Sequence, residues 1–99
     1  MLDEIRRRLP EIEALCRRHH VTYLAVFGSA VTDEFDRARS DLDFLVEYDR
    51  QRWDAWSDFW GVKEELEQLF HRPVDLVVRS AQRNPYFIRS FETTKQPLY

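Results

Sequence analysis

The hydrophobic positions of the chain follow two different periods. Near the N-terminus the apolar residues are three to four positions apart, which predicts an amphipathic helix over about residues 2–19. Proline is disfavoured inside a helix, so Pro10 predicts a short leading turn followed by a helix over about 10–18, or one kinked helix. Three short apolar runs predict strands, at residues 21–27, 41–48 and 74–78.

The longest predicted helix covers about residues 53–70. Its apolar positions share one helical face: Trp56, Phe59, Val62, Leu66, Leu69 and Phe70. Trp53 and Trp60 fall at the edge of this face, where tryptophan is typical of partner interfaces, so we predict that they contact a partner protein or a second copy of the chain. Gly61 costs about 1 kcal/mol inside a helix relative to Ala, which predicts close packing against a strand or a break.

The predicted order is helix, strand, strand, helix, strand, helix. Asn84-Pro85 is a helix start signal for the last helix, and residues 96–99 form a short apolar tail, extended or docked. The long helix between the second and third strands favours a right-handed crossover and a parallel pair. We therefore predict a single α/β domain over residues 1–99, with a small mixed sheet of three or more strands and helices packed mainly on one face.

Three aspartates carry the candidate chemistry. Asp41 and Asp43 lie two residues apart in a predicted strand, so their side chains project from the same face. Asp75 lies in the strand predicted to neighbour theirs. Like charges repel unless a cation separates them, and Mg²⁺ prefers a few carboxylates together with substrate phosphates. One or two divalent ions held here could orient a triphosphate and activate an attacking hydroxyl.

A glycine-serine turn ends the first predicted strand. Gly28 would let the backbone approach a phosphate closely. The Ser29 hydroxyl and the following backbone N–H groups could hold phosphate oxygens, with a short helical turn predicted from Ser29 to about Phe35. Each feature taken alone also fits an ordinary turn.

Composition narrows the class of protein. The chain has 99 residues and a net charge of −3, without the basic excess of a nucleic-acid-binding protein, so no direct nucleic-acid binding is expected. No apolar run approaches the ~20 residues of a membrane span, and the charged N-terminus lacks a signal-peptide core. The single Cys16 suits a reducing compartment, so we predict a cytoplasmic protein. The spacing of Cys16, His19, His20 and His71 does not fit zinc.

Taken together, the motifs resemble the nucleotidyltransferases of the DNA polymerase β-like superfamily, and within it the minimal nucleotidyltransferase (MNT) group. The resemblance rests on Gly28-Ser29, on Ser40-Asp41-Leu42-Asp43 and on Asp75 within the phrase RPVDLVV. The ending NPYFIRSFETTKQPLY also fits, so the resemblance covers nearly the whole chain.

The resemblance implies a function. Members of this group are small cytosolic proteins, commonly antitoxins paired with a HEPN-domain ribonuclease toxin, and some transfer AMP from ATP onto a tyrosine of that toxin. Carried over, Asp41 and Asp43 are ligands of Mg²⁺, and Asp75 is a ligand or the base that activates the acceptor hydroxyl. Gly28 and Ser29 bind the triphosphate.

Two alternatives remain open at this level: an antitoxin that neutralises by binding alone, and an adenylyltransferase for a small molecule such as an aminoglycoside. The second would need another domain or a homodimer to build an acceptor pocket, and 99 residues leave little room for one. The sequence also departs from the family, which often has Ala-Arg-Gly soon after Gly-Ser. Thr32, Arg37 and Arg39 are the residues of this loop that could replace the missing arginine.

Overall fold

The computed structural model describes residues 1–32, 36 and 40–99. The α-helices in this part of the chain are α1 (Leu2–Arg6), α2 (Leu9–Arg18), α3 (Ala55–Phe70) and α4 (Pro85–Thr94). The strands are β1 (Val21–Phe27), β2 (Leu42–Tyr48), β3 (Val74–Val78) and the two-residue β4 (Gln96–Pro97). Short 3₁₀ turns cover Gly28–Val31 and Arg79–Ala81.

The strands form one mixed sheet in the order β3-β2-β1-β4. β1 pairs antiparallel with β2, and β2 pairs parallel with β3, as the crossover through α3 predicts. The C-terminal tail docks as β4, antiparallel to β1, with Gln96 opposite Val26. The sheet therefore has one strand more than the three apolar runs indicate.

Each face of the sheet has its own cluster of buried side chains. On one face, Leu24, Phe44 and Leu76 belong to a core that includes buried residues of α1, α2 and α3. On the other face, Ala25, Phe27, Leu45 and Val77 pack with Phe91 of α4. The prediction that the helices pack mainly on one face is thus confirmed, and α4 covers part of the other, aspartate-bearing face.

The N-terminal helical region is divided as Pro10 predicts. α1 ends at Arg6, and Pro10 occupies the first turn of α2, where its missing N–H leaves no carbonyl of the helix unpaired. Ile5, Ile12 and Cys16 lie fully buried against the sheet. Among the described residues no helix combines the length and apolar character needed to cross a membrane.

The predicted apolar face of α3 packs against the core at every position except Trp56. Val62 and Leu66 are buried as expected, but Trp56 is 74% exposed. The buried residues of α3 are Asp58, Val62 and Leu66, at four-residue spacing, so Asp58 is the one addition to the predicted face. Asp58 accepts a hydrogen bond from the backbone N–H of Asp54 at 2.9 Å and contacts Nδ1 of His20 at 3.1 Å. These contacts satisfy a buried carboxylate, so the helix turns its charged position inward and Trp56 outward.

Gly61 lies inside an unbroken α3. A Cβ atom at this position would lie 2.8 Å from Nδ1 of His19, so the glycine leaves space for the imidazole at the end of α2. His19 in turn contacts Asp58 and Glu65 of α3. The expected close packing is therefore present, but its partner is a histidine ring between two helices rather than a strand.

Candidate active site

The three aspartates lie at one end of the sheet. Asp43 of β2 is directly opposite Asp75 of β3 in the parallel register, and Phe27, the last residue of β1, is opposite Asp43 on the other side. Asp41 immediately precedes β2, one residue short of its predicted place inside the strand. Asp41 and Asp75 are exposed, whereas Asp43 is half-buried. The fold thus brings Asp75 beside a carboxylate that is 32 positions away in the sequence.

Gly28 follows β1 and lies directly over the Asp43 carboxylate. Its φ of +73° is in the left-handed region that favours glycine. A Cβ atom at this position would lie 2.5 Å from Oδ2 of Asp43. The backbone can therefore approach the carboxylate only because residue 28 has no side chain.

The pKa of Asp43 is raised by burial and by two other carboxylates that lie close to it. Burial, followed by the charges of Asp75 and Asp41, raises the pKa of Asp43 to about 6. Both neighbouring carboxylates thus disfavour ionisation of Asp43, as expected where negative charges lie close together.

The donor set fits a divalent cation. Asp43 and Asp75 lie on adjacent strands and Asp41 immediately precedes β2, and their carboxylates provide the oxygen ligands that Mg²⁺ prefers. Within ranges 1–32, 36 and 40–99, no three His, Cys, Asp or Glu side chains are already arranged to hold a metal ion. The fit therefore rests on the placement of the strands and on the chemistry of the donors.

The turn after Gly28 has its own hydrogen bonds. Gly28–Val31 forms a 3₁₀ turn, which is shorter than the predicted segment to Phe35. The Ser29 carbonyl accepts the N–H of Thr32 at 3.2 Å and the hydroxyl of Thr32 at 3.3 Å. Thr32 therefore helps to close the turn. The expectations for Phe35, Arg37 and Arg39 lie outside the described residues.

One contact at this turn was not predicted from the sequence. The N–H of Gly28 donates to Oγ1 of Thr94, the last residue of α4, at 3.3 Å. Thr94 is 66 positions from Gly28, and no spacing or motif indicates the pair. Only the packing of α4 on the aspartate-bearing face brings them together.

The two predicted interface tryptophans are in different environments. Trp53 precedes α3, and its ring stacks on Tyr48 with centroids 4.8 Å apart. Trp60 is 39% exposed and contacts Trp56 at a centroid distance of 5.7 Å. We call the pair formed by Trp56 and Trp60 the exposed aromatic pair. Trp53 is partly exposed and packs on Tyr48, whereas Trp56 lies beside Trp60 at the surface.

The mixed sheet carries an Asp-x-Asp pair, a third aspartate in register on the neighbouring strand, and a glycine turn over the carboxylates. These features define a nucleotidyltransferase-type fold. Comparison with known proteins identifies the family. Residues 11–97 match the model of the nucleotidyltransferase domain family. The chain belongs to this family and is a nucleotidyltransferase.

Relatives cover almost the whole chain. A protein of Methanocaldococcus jannaschii named a putative protein adenylyltransferase is 31% identical over 94 residues, covering 87% of this chain and 93% of the relative. A solved structure described as a putative minimal nucleotidyltransferase superposes with a TM-score of 0.77 at 29% identity, covering 97% of this chain and 94% of that one.

The fold also occurs in a toxin–antitoxin complex. A chain from the complex of the tri-AMPylated Shewanella oneidensis HEPN toxin with its MNT antitoxin has a TM-score of 0.62 and 19% identity. The match covers 93% of this chain and 69% of that one. At this identity the likeness concerns the fold.

Proposed function

We propose that this protein transfers AMP from ATP to a tyrosine hydroxyl of a HEPN-domain toxin and thereby acts as its antitoxin, with Mg²⁺ as the cofactor. The observation that carries the proposal is the register of β2 and β3, which places Asp43 opposite Asp75 beneath the Gly28 turn. Carboxylates arranged in this way beside a turn open to phosphate suit metal-assisted phosphoryl transfer.

Each side chain has a role in this proposal. Asp41 and Asp43 would hold the cation, which would supply positive charge against the triphosphate and the leaving pyrophosphate. Asp75 completes the ligand set or takes the proton of the acceptor hydroxyl. Gly28 lets the backbone approach the phosphates closely, and the Ser29 hydroxyl holds them. The acceptor oxygen forms a bond to the α-phosphorus, and the bond from that phosphorus to the bridging oxygen breaks, releasing pyrophosphate.

A protein acceptor suits this chain better than a small molecule. The aspartate end of the sheet is open, since Asp41 and Asp75 are exposed, and so a tyrosine on another protein can reach it. The M. jannaschii relative is named for protein adenylylation, and the S. oneidensis complex contains an AMPylated HEPN toxin. We place the reaction in the cytoplasm, where ATP is available and the buried Cys16 stays reduced.

Intact-mass measurement tests the proposal. The protein is incubated with ATP, Mg²⁺ and a HEPN-domain protein from the same genome, and both masses are recorded. We expect the partner to gain the mass of one or more AMP groups. A reaction without ATP and one with a chelator serve as controls. An unchanged partner mass under all conditions would overturn the proposal.

The exposed aromatic pair provides a test of where the partner binds. Trp56, Trp60 and the exposed Glu64 lie at four-residue spacing on one face of α3. Tryptophans commonly dominate the binding energy of protein interfaces, and losses of 2 kcal/mol or more weaken binding by roughly thirtyfold. We therefore expect the double variant Trp56→Ser/Trp60→Ser to bind the HEPN partner at least about tenfold more weakly, measured by calorimetry.

Two variants separate binding from folding. Tyr86→Ser removes an aromatic side chain that is 83% exposed on α4, and it should leave partner affinity unchanged. Trp53→Ser removes the ring stacked on Tyr48, so it should lower the melting temperature and leave the partner affinity nearly unchanged. Unchanged affinity in the double variant would exclude this surface. A change from dimer to monomer in the isolated protein would instead assign it to contact between two copies.

A further inference from the structure

Thr94, the last residue of α4, contacts the Gly28–Val31 turn, which we call the phosphate turn. Thr94 is not among the residues to which the proposed function gives a role. The Thr94 hydroxyl donates to the carbonyl of Ser90 at 3.1 Å and accepts the N–H of Gly28 at 3.3 Å. Because its hydrogen is directed to the helix, the oxygen is left to accept from Gly28. A single hydroxyl therefore links α4 to the residue that lies over Asp43.

The position of this hydroxyl is set by elements on both sides of it. On the helix side, Phe91 packs against Phe27, the residue before Gly28, with ring centroids 5.9 Å apart. On the other side, β4 begins at Gln96, which pairs with Val26 of β1. Thr94 is thus held between two contacts to the strand that leads into the turn, and its hydroxyl has little freedom to move away.

We infer that Thr94 is a positioning residue of the nucleotide site. It holds the Gly28 N–H so that the turn keeps its left-handed backbone and its height over the Asp43 carboxylate. The inference deepens the proposed function, on which it rests, by assigning control of the phosphate turn to α4. Misplacement of a binding turn by a fraction of an ångström weakens the grip on the nucleotide without removing any group that touches it.

The chain offers a matched control beside Thr94. The hydroxyl of Thr93 also donates to helix carbonyls, that of Arg89 at 2.9 Å and that of Ser90 at 3.1 Å, but Thr93 is exposed. Thr94→Val and Thr93→Val each replace a helix-bonded hydroxyl by a methyl group in neighbouring positions. Thr94→Ser restores the hydroxyl. Only Thr94→Val removes the acceptor of the Gly28 N–H.

Steady-state kinetics with ATP and the HEPN partner provide the functional readout. A partly buried N–H left without its acceptor is expected to raise the KM for ATP about tenfold in Thr94→Val, with a smaller change in kcat. Thr93→Val and Thr94→Ser should stay within about twofold of the wild type. Equal KM values for Thr94→Val and Thr93→Val, or a Thr94→Ser variant as impaired as Thr94→Val, would overturn the inference.

Amide NMR provides a readout that does not depend on activity. The chain contains only two glycines, so the cross-peaks of Gly28 and Gly61 are readily assigned. We expect Thr94→Val to shift the Gly28 amide and to speed its hydrogen exchange, while Gly61 serves as an internal reference for intact folding. Thr94→Ala is a second variant in case the valine does not fold. An unchanged Gly28 amide would overturn the inference, whereas a wild type without AMP transfer would instead count against the proposed function.

Discussion

The double variant Asp41→Asn/Asp43→Asn is expected to lose AMP transfer by at least about a thousandfold. Metal ions contribute several kcal/mol to phosphoryl transfer, and each 1.36 kcal/mol corresponds to about tenfold in rate. Asparagine keeps the shape of the side chain but removes the charge that attracts a divalent cation. The measurement is the rate of AMP incorporation into the HEPN partner under excess Mg²⁺ and ATP.

The same variant distinguishes catalysis from neutralisation by binding. Affinity for the partner should persist, because the exposed aromatic pair on α3 is unchanged. The melting temperature should not fall, because the charge of Asp43 is disfavoured by burial and by Asp75 and Asp41. Asp3→Asn, at an exposed position of α1, serves as the control and should transfer AMP normally. Full neutralisation of the toxin by the double variant would favour the binding-only antitoxin.

Gly28→Ala is expected to lower kcat/KM for ATP by about a hundredfold, since a displacement near 1 Å at a reacting site can cost that much. The added methyl group would lie 2.5 Å from Oδ2 of Asp43, so the turn or the carboxylate has to move. The φ of +73° is also unfavourable for alanine. AMP transfer and ATP affinity are measured together on the purified variant.

The second glycine provides the comparison. In Gly61→Ala the new methyl group meets the ring of His19, 2.8 Å from its Nδ1, at the α2–α3 contact. This variant should lower the melting temperature and leave the KM for ATP nearly unchanged at temperatures where it is folded. Loss of nucleotide affinity in Gly61→Ala, or its retention in Gly28→Ala, would contradict the assignment of Gly28 to the phosphate turn.

Most of the fold could be predicted from local patterns. The runs at 21–27 and 74–78 are β1 and β3, and the run at 41–48 is β2 apart from its first residue. These strands are buried, and a buried strand consists mostly of apolar residues, so the sequence shows where each one lies. The start of α4 could also be predicted from the sequence, because the side chain of Asn84 caps the helix by accepting the N–H of Tyr86 at 2.9 Å. The burial of Asp58 and the exposure of Trp56 on α3 could not be predicted, because an aspartate does not look apolar in the sequence.

The sequence by itself therefore determined which residues are candidates for the proposed chemistry: Gly28, Asp41, Asp43 and Asp75 stand out by residue type, by spacing and by their position at strand ends. Only the tertiary structure decided how they meet. The parallel register sets Asp75 opposite Asp43, the packing of α4 brings Thr94 to the Gly28 N–H, and the burial of Asp58 on α3 leaves Trp56 exposed. The physical reason is that these relations join residues far apart in the chain, where the free energy depends on packing and hydrogen bonds between elements that no local pattern records.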